Sequence, residues 1–137
     1  MQSLYPAEVE VKKKFIQERV MVKFLIGNTT KKLATQEDNK YEWELFVKSM
    51  EGERPLNEFA DLVEVELHPT FQPRKLKFHP KEGRDISLRR IGWGTFGIGV
   101  KVFWKKEYNE KSSEFIHNLS FDPLIQREIH ATITPKK

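Results

Sequence analysis

Two short stretches of this chain carry side chains that could do chemistry. Residues 92–99 read GWGTFGIG, and Gly92, Gly94 and Gly97 satisfy the spacing G-x-G-x-x-G found in loops that cradle phosphates. Residues 67–71 read LHPTF. His68 offers an imidazole, Thr70 a hydroxyl and Phe71 an apolar wall, set around a rigid proline. Such a group could recognise a neutral polar head on an apolar stem. Equally, His68 and Thr70 could do no more than close a turn.

A nucleotide loop makes further demands. In the dinucleotide fingerprint a helix follows the glycines, and its N-terminus meets the pyrophosphate. Here IGVKVFWKK follows, alternating and rich in β-branched and aromatic residues, which reads as a strand. The glycine-rich loop of protein kinases is followed by a strand, but it also needs H-R-D and D-F-G segments, and neither occurs. The glycines must therefore serve something else. GWG can present Trp93 while leaving its backbone accessible, or it can be a tight turn with Trp93 packed inside.

Other chemistries find little support. The chain has no cysteine, so it has no disulfide framework, no thiolate metal site and no Cys nucleophile. His68, His79, His117 and His130 are dispersed, with no H-x-H or H-E-x-x-H pair. No catalytic residue, metal or cofactor is expected. At 38% hydrophobic and 32% charged, the composition is that of a soluble globular domain. No apolar run is long enough to suggest a membrane. The sequons at Asn28 and Asn118 read as chance matches.

The net charge of +4 is unevenly spread. Residues 71–90 hold seven cations (Arg74, Lys75, Lys77, Lys81, Arg84, Arg89, Arg90) against Glu82 and Asp85. This segment reads either as a solvated loop or edge strand, or as a surface for an acidic partner such as DNA.

The elements that must hold these pieces are strands. Apolar residues recur at period two in Val20–Ile26, Tyr41–Val47, Val63–Leu67, Ile98–Trp104 and Ile129–Ile133. GNTTKK, SMEGERP, HPTFQP, HPKEGRD and KKEYNEKSSE between them read as turns. LNEFADL allows one helical turn, and AEVEVKKKFIQER is ambiguous between strand and helix. The spacing predicts an all-β antiparallel sandwich. A single domain over residues 1–137 is expected, with its core roughly at 15–134, either whole or as a piece of a longer protein.

LHPTF followed some twenty residues later by GWGTF resembles the YEATS domain family, in which H-P-[ST]-[FY] and G-[WY]-x-x-F lie on adjacent loops of an immunoglobulin-like sandwich. FLIGNTTKK, YEWELFVKS, LNEFADLVEVELHPTF, IGVKVFW and FIHNLSFD agree in order, over about residues 15–125. Members of that family read acylated lysine on histone tails. The branch with G-N near its start, which FLIGNTTKK resembles, is found in histone acetyltransferase and chromatin-remodelling complexes. The resemblance therefore implies a nuclear reader of acetyl- or crotonyl-lysine, with a histone H3 tail and subunits of a chromatin complex as partners. It implies Phe71 and Trp93 as two aromatic walls, Thr70 as a hydrogen-bonding partner of the acyl amide and His68 as its orienting group. The Trp93 N–H would donate to the acyl carbonyl, Gly92 and Gly94 would give access, and Phe96 would support the wall from behind or face the acyl tip. Asn118 falls near a peptide-contacting position.

The chain departs from the family pattern between the two motifs. RKLKFHPKEGRDISLRRIGWG lacks the usual Pro-Pro, Thr95 stands where an acidic residue is common, and Arg89-Arg90 precedes the glycines. A basic tail would be repelled there, so the peptide is expected along an acidic side supplied by Glu51, Glu53, Glu64 or Glu66. The rival reading is a sandwich scaffold or DNA-binding module, with Trp93 and Phe71 in the core. Arg74, Lys75, Lys77, Arg89 and Arg90 would then be the DNA contacts.

Overall fold

The computed structural model describes residues 18–34 and 40–137. Eight strands follow in order: β1 (Val20–Lys32), β2 (Tyr41–Ser49), β3 (Ala60–Glu66), β4 (Lys75–Phe78), β5 (Ile86–Gly92), β6 (Gly97–Trp104), β7 (Ser112–Asn118) and β8 (Leu124–Ile133). A single 3-10 turn, Leu56–Glu58, precedes β3, where LNEFADL allows one.

The strands form two four-stranded antiparallel sheets, ordered β5-β2-β1-β8 and β4-β3-β6-β7. This is the antiparallel sandwich expected from the alternation, with the immunoglobulin-like form that the family resemblance implies. Each period-two run turns one face inward. Val22, Phe24, Ile26, Trp43, Leu45, Val63, Val65, Ile98, Val100, Val102 and Ile133 are all buried in one core between the sheets.

The differences from expectation have local causes. β1 does not stop before GNTTKK; it runs through it to Lys32, because β2 and β8 pair with it on both sides. Gly27 is not a breaker here. A Cβ there would collide with the Ile125 carbonyl oxygen and lie 2.6 Å from Phe46 Cζ. Phe46 alternates onto the outer face, yet it is buried, because its register partner Gly27 leaves room for its ring. The basic segment forms β4 and β5, which are edge strands of opposite sheets, as the solvated-edge reading anticipates. The AEVEVKKKFIQER segment lies outside the described residues except for Glu18 and Arg19.

Candidate functional site

The connection after β3 and the connection between β5 and β6 meet at one end of the sandwich. β3 and β6 are neighbours, with Glu66 opposite Gly99, whereas β5 lies in the other sheet. The chain from Trp93 to Phe96 therefore steps from one sheet to the other directly beside the residues that leave β3.

Local chemistry shapes the first connection. Leu67 is buried, and its N–H donates to the Arg74 carbonyl at 2.8 Å, closing the base of the loop. His68, Pro69, Thr70 and Phe71 make a turn in which the Phe71 N–H donates to the His68 carbonyl at 3.0 Å. Proline in the second position presets the backbone for such a turn. His68 Nδ1 accepts the Thr70 N–H at 3.2 Å, which leaves that nitrogen unprotonated and places the ring proton on Nε2. The Thr70 hydroxyl, 3.0 Å from the same nitrogen, must then be the donor of their shared hydrogen bond. Its lone pairs are left to accept from an incoming N–H.

The aromatic residues form a stepped wall. Phe71 and Phe96 lie 5.6 Å apart, and His68 lies 5.8 Å from Phe96. Beneath them Trp43 from β2 meets both phenyl rings edge-on at 6.0 Å. Trp43 is fully buried, and its indole N–H, beside Gly92, has no hydrogen-bond partner among the described residues. Phe96 is held from behind by a bond from the Leu119 N–H to its carbonyl at 3.0 Å. Trp93 is the opposite of Trp43. It is 76% exposed, so the packed-core reading of GWG does not hold.

His68, Thr70, Phe71, Gly92, Trp93, Gly94 and Phe96 line one open cavity of about 330 Å³, together with Ile91 and Thr95. That volume lies at the small end of ligand-binding clefts, roughly 300–1,000 Å³. Among the described residues the Trp93 N–H has no hydrogen-bond partner. Neither Gly92 nor Gly94 has a positive φ, and a Cβ on Gly94 would meet nothing within 4 Å. The fold itself does not demand these glycines; the space they leave belongs to the cavity.

Other anticipated residues fall elsewhere. Asn118, the last residue of β7, is exposed beside Gly97 and outside the cavity lining. Glu51 and Glu53 follow the far end of β2, away from Tyr41, which pairs with Gly92. Glu66 is engaged by Arg74 and Lys75, each at 3.5 Å. Arg89 is not a bare cation facing the site: Glu44 at 3.1 Å and Glu42 at 3.7 Å on β2 neutralise it. Arg90 is half-buried and donates to the Arg89 carbonyl at 2.8 Å.

A supporting node escaped the sequence reading. Asn28 is fully buried in β1, and its Oδ1 accepts from His117 Nε2 at 2.7 Å and from the Ser120 N–H at 3.2 Å. Its Nδ2 donates to the Ser120 carbonyl at 2.8 Å and to Thr30 Oγ1 at 3.0 Å. This ties β1 to the chain leaving β7, next to the Leu119 contact that fixes Phe96. Burial, and then the Arg127 charge, hold His117 below its ordinary value of 6.5, so the neutral ring is favoured. The signal was present: a polar Asn stands where the apolar alternation of β1 breaks off. Asn28 was considered only as a sequon, and its burial removes the side chain from any such modification.

A sandwich with an open aromatic slot at one end, a hydroxyl fixed as an acceptor and an unused backbone N–H has the chemistry to hold a slender, neutral, amide-bearing group. The chain belongs to the YEATS family, which it matches over residues 38–123. It is 31% identical over 110 residues to the protein AF-9 homolog of Kluyveromyces lactis, covering 76% of this chain and 48% of that protein. The AF-9 homolog of Schizosaccharomyces pombe is 31% identical over 107 residues, covering 72% and 46%. The chain thus spans about half the length of the curated relatives it matches. A structure of the Yaf9 YEATS domain recognising an H3K122suc peptide is 27% identical, with a TM-score of 0.69 over 89% of this chain and 91% of that one.

Proposed function

We propose that this chain is a histone reader that binds acylated lysine of a histone H3 tail in the slot between Phe71 and Trp93. It acts within a nuclear, chromatin-associated assembly and performs no chemical step. The observation that carries this reading is the cavity itself, where an exposed Trp93 shares one lining with Phe71 and with a Thr70 hydroxyl oriented by His68. The match to the YEATS family and the likeness to a Yaf9 domain that recognises an acylated histone peptide support it.

The chemistry follows from charge removal. Acylation turns the lysine side chain into an apolar stem ending in an amide, which an aromatic channel accepts. The unmodified ammonium would have to be desolvated without a counter-charge, at a cost of several kcal/mol. Inside, the Thr70 oxygen accepts the acyl amide N–H and the Trp93 N–H donates to the acyl carbonyl. Leaving either amide group unpaired would cost about 1–3 kcal/mol. Phe96 backs the wall, and Gly92 and Gly94 leave room for the acyl tip. Asn118, outside the lining, would meet the flanking peptide. A flat crotonyl group stacks between the two rings.

Titration of acetylated, crotonylated and unmodified H3 peptides by calorimetry tests this reading. The acylated peptides should bind and the unmodified one should not. Equal or absent binding of all three at near-millimolar concentration overturns it.

A further inference from the structure

One residue of the cavity lining has no task in holding the acyl amide. Ile91 is 52% exposed, and of the large apolar side chains left exposed among the described residues only Ile91 and Trp93 line the cavity. A single exposed isoleucine is ordinary on a protein surface. What marks this one is its place. It directly precedes Gly92 at the end of β5, where the chain turns through Trp93 and crosses to the other sheet. The charges beside it are occupied with one another. Glu42, its register partner on β2, is held by Arg89 at 3.7 Å, and Glu44 lies 3.1 Å from the same guanidinium. Arg90 is half-buried, and its Nη1 donates to the Arg89 carbonyl. β5 is also the edge of its sheet, so no further strand covers Ile91 on that side among the described residues. Ile91 and the open part of the Trp93 ring therefore extend the slot as an apolar ledge.

We infer that this ledge selects the acyl group by length, so that the slot prefers saturated medium-length acyl chains such as hexanoyl to acetyl and to crotonyl. This preference rests on the reader function proposed above, with the amide held by Thr70 and Trp93 and the acyl tip passing Gly92 and Gly94. A short acyl group ends between the two rings and does not reach Ile91. A longer one emerges past Gly92, whose missing side chain leaves the way open. A Cβ there would find only Phe71 Cζ at 3.7 Å and Trp43 Nε1 at 3.8 Å. The distal methylenes then leave water for contact with Ile91 and Trp93. A fully buried methylene is worth about fourfold in affinity, and one lying on an open ledge about twofold. Crotonyl keeps its stacking between the rings but has nothing to lay on the ledge. The gain is apolar, so salt does not screen it.

The test is calorimetric titration of one H3 peptide carrying acetyl, crotonyl, butyryl, hexanoyl or octanoyl on the same lysine. Affinity should rise about twofold for each methylene from butyryl to hexanoyl, at low and high salt alike, and octanoyl should gain little more. Hexanoyl should bind more tightly than crotonyl. Ile91→Thr keeps a β-branched side chain on the strand and removes its apolar end. It should lower the hexanoyl-to-acetyl affinity ratio by at least about threefold, and Ile91→Val should restore most of that ratio. Both variants should melt with the wild type, because Ile91 is exposed. A wild-type series in which hexanoyl binds no better than acetyl or crotonyl overturns the proposal. So does a ratio that Ile91→Thr leaves unchanged, even where every acyl group loses affinity equally, since Ile91 would then seat the flanking tail. Failure of all the acylated peptides to bind would overturn the reader function as well. Acetyl and crotonyl binding without a dependence on length overturns this preference alone.

Discussion

The aromatic slot and the basic edge lie at opposite ends of β5, and they are built by opposite means. Phe71, Phe96 and Trp43 pack ring against ring, and the Thr70 hydroxyl is aimed by His68. Lys77, Lys81 and Arg84 are aimed by nothing but a strand edge and a turn. A slot gains from removing its ligand from water, and its hydrogen bonds are specific and little screened. Solvated cations gain from counterion release and read no sequence. One region is therefore built for discrimination, whereas the other presents only charge.

The contrast between exposed Trp93 and packed Phe71 can be broken most directly by truncation. Trp93→Ala should cost at least about 2 kcal/mol in acyl-peptide affinity, as for a central anchor, because one whole wall is lost. Its melting temperature should not move, since the ring is 76% exposed and supports nothing beneath it. Phe71→Ala should weaken binding by roughly 2 kcal/mol and also lower stability, because Trp43 and Phe96 lose a packing partner. If both variants behave alike in thermal unfolding, the two walls are not of different kinds.

Thr70→Val keeps the shape and removes the acceptor. About 1–3 kcal/mol of acyl-peptide affinity should be lost by calorimetry, with salt dependence unchanged. Gly94→Ala places a methyl into the cavity without touching protein. Acyl-peptide affinity should fall by about 1 kcal/mol, with longer acyl groups hurt more than acetyl and with stability retained. An unchanged profile for acyl chain length would place the acyl tip away from Gly94.

The smallest effect concerns the buried support of the slot. The folded state holds His117 below 6.5 by burial and by Arg127, so below that value the unfolded chain binds a proton the folded chain resists. Stability should be fully present above pH 6.5 and should decline as pH falls through the depressed folded value. Thermal melts across this range should show the decline in wild type and a flatter profile in His117→Gln. Equal slopes would assign the decline to other groups.

Much of the slot was legible because its residues lie in two short runs. His68, Thr70 and Phe71 follow one another, as do Gly92 to Phe96, and turn chemistry around Pro69 and the glycines is local. Trp43 was not legible as its floor, since alternation in β2 marks it only as inward-facing. Ile91 gave no signal, because it joins the lining only once β5 crosses to β6. Asn28 and His117 are 89 residues apart, and no local pattern announces a bond between them.

The sequence alone determined the alternation of apolar residues, hence the sandwich, and the two loops that carry the slot's chemistry. Side-chain period and turn preference are properties of neighbouring residues, so they are written along the chain. Only the tertiary structure decided which tryptophan is wall and which is floor. It also decided which cations are free. Exposure and ion pairing depend on which strands become neighbours: β2 beside β5 brings Glu42 and Glu44 to Arg89, and β3 beside β4 brings Glu66 to Lys75. Of the seven basic positions, Arg74, Lys75 and Arg89 are thereby ion-paired, whereas Lys77, Lys81, Arg84 and Arg90 form no ion pair among the described residues.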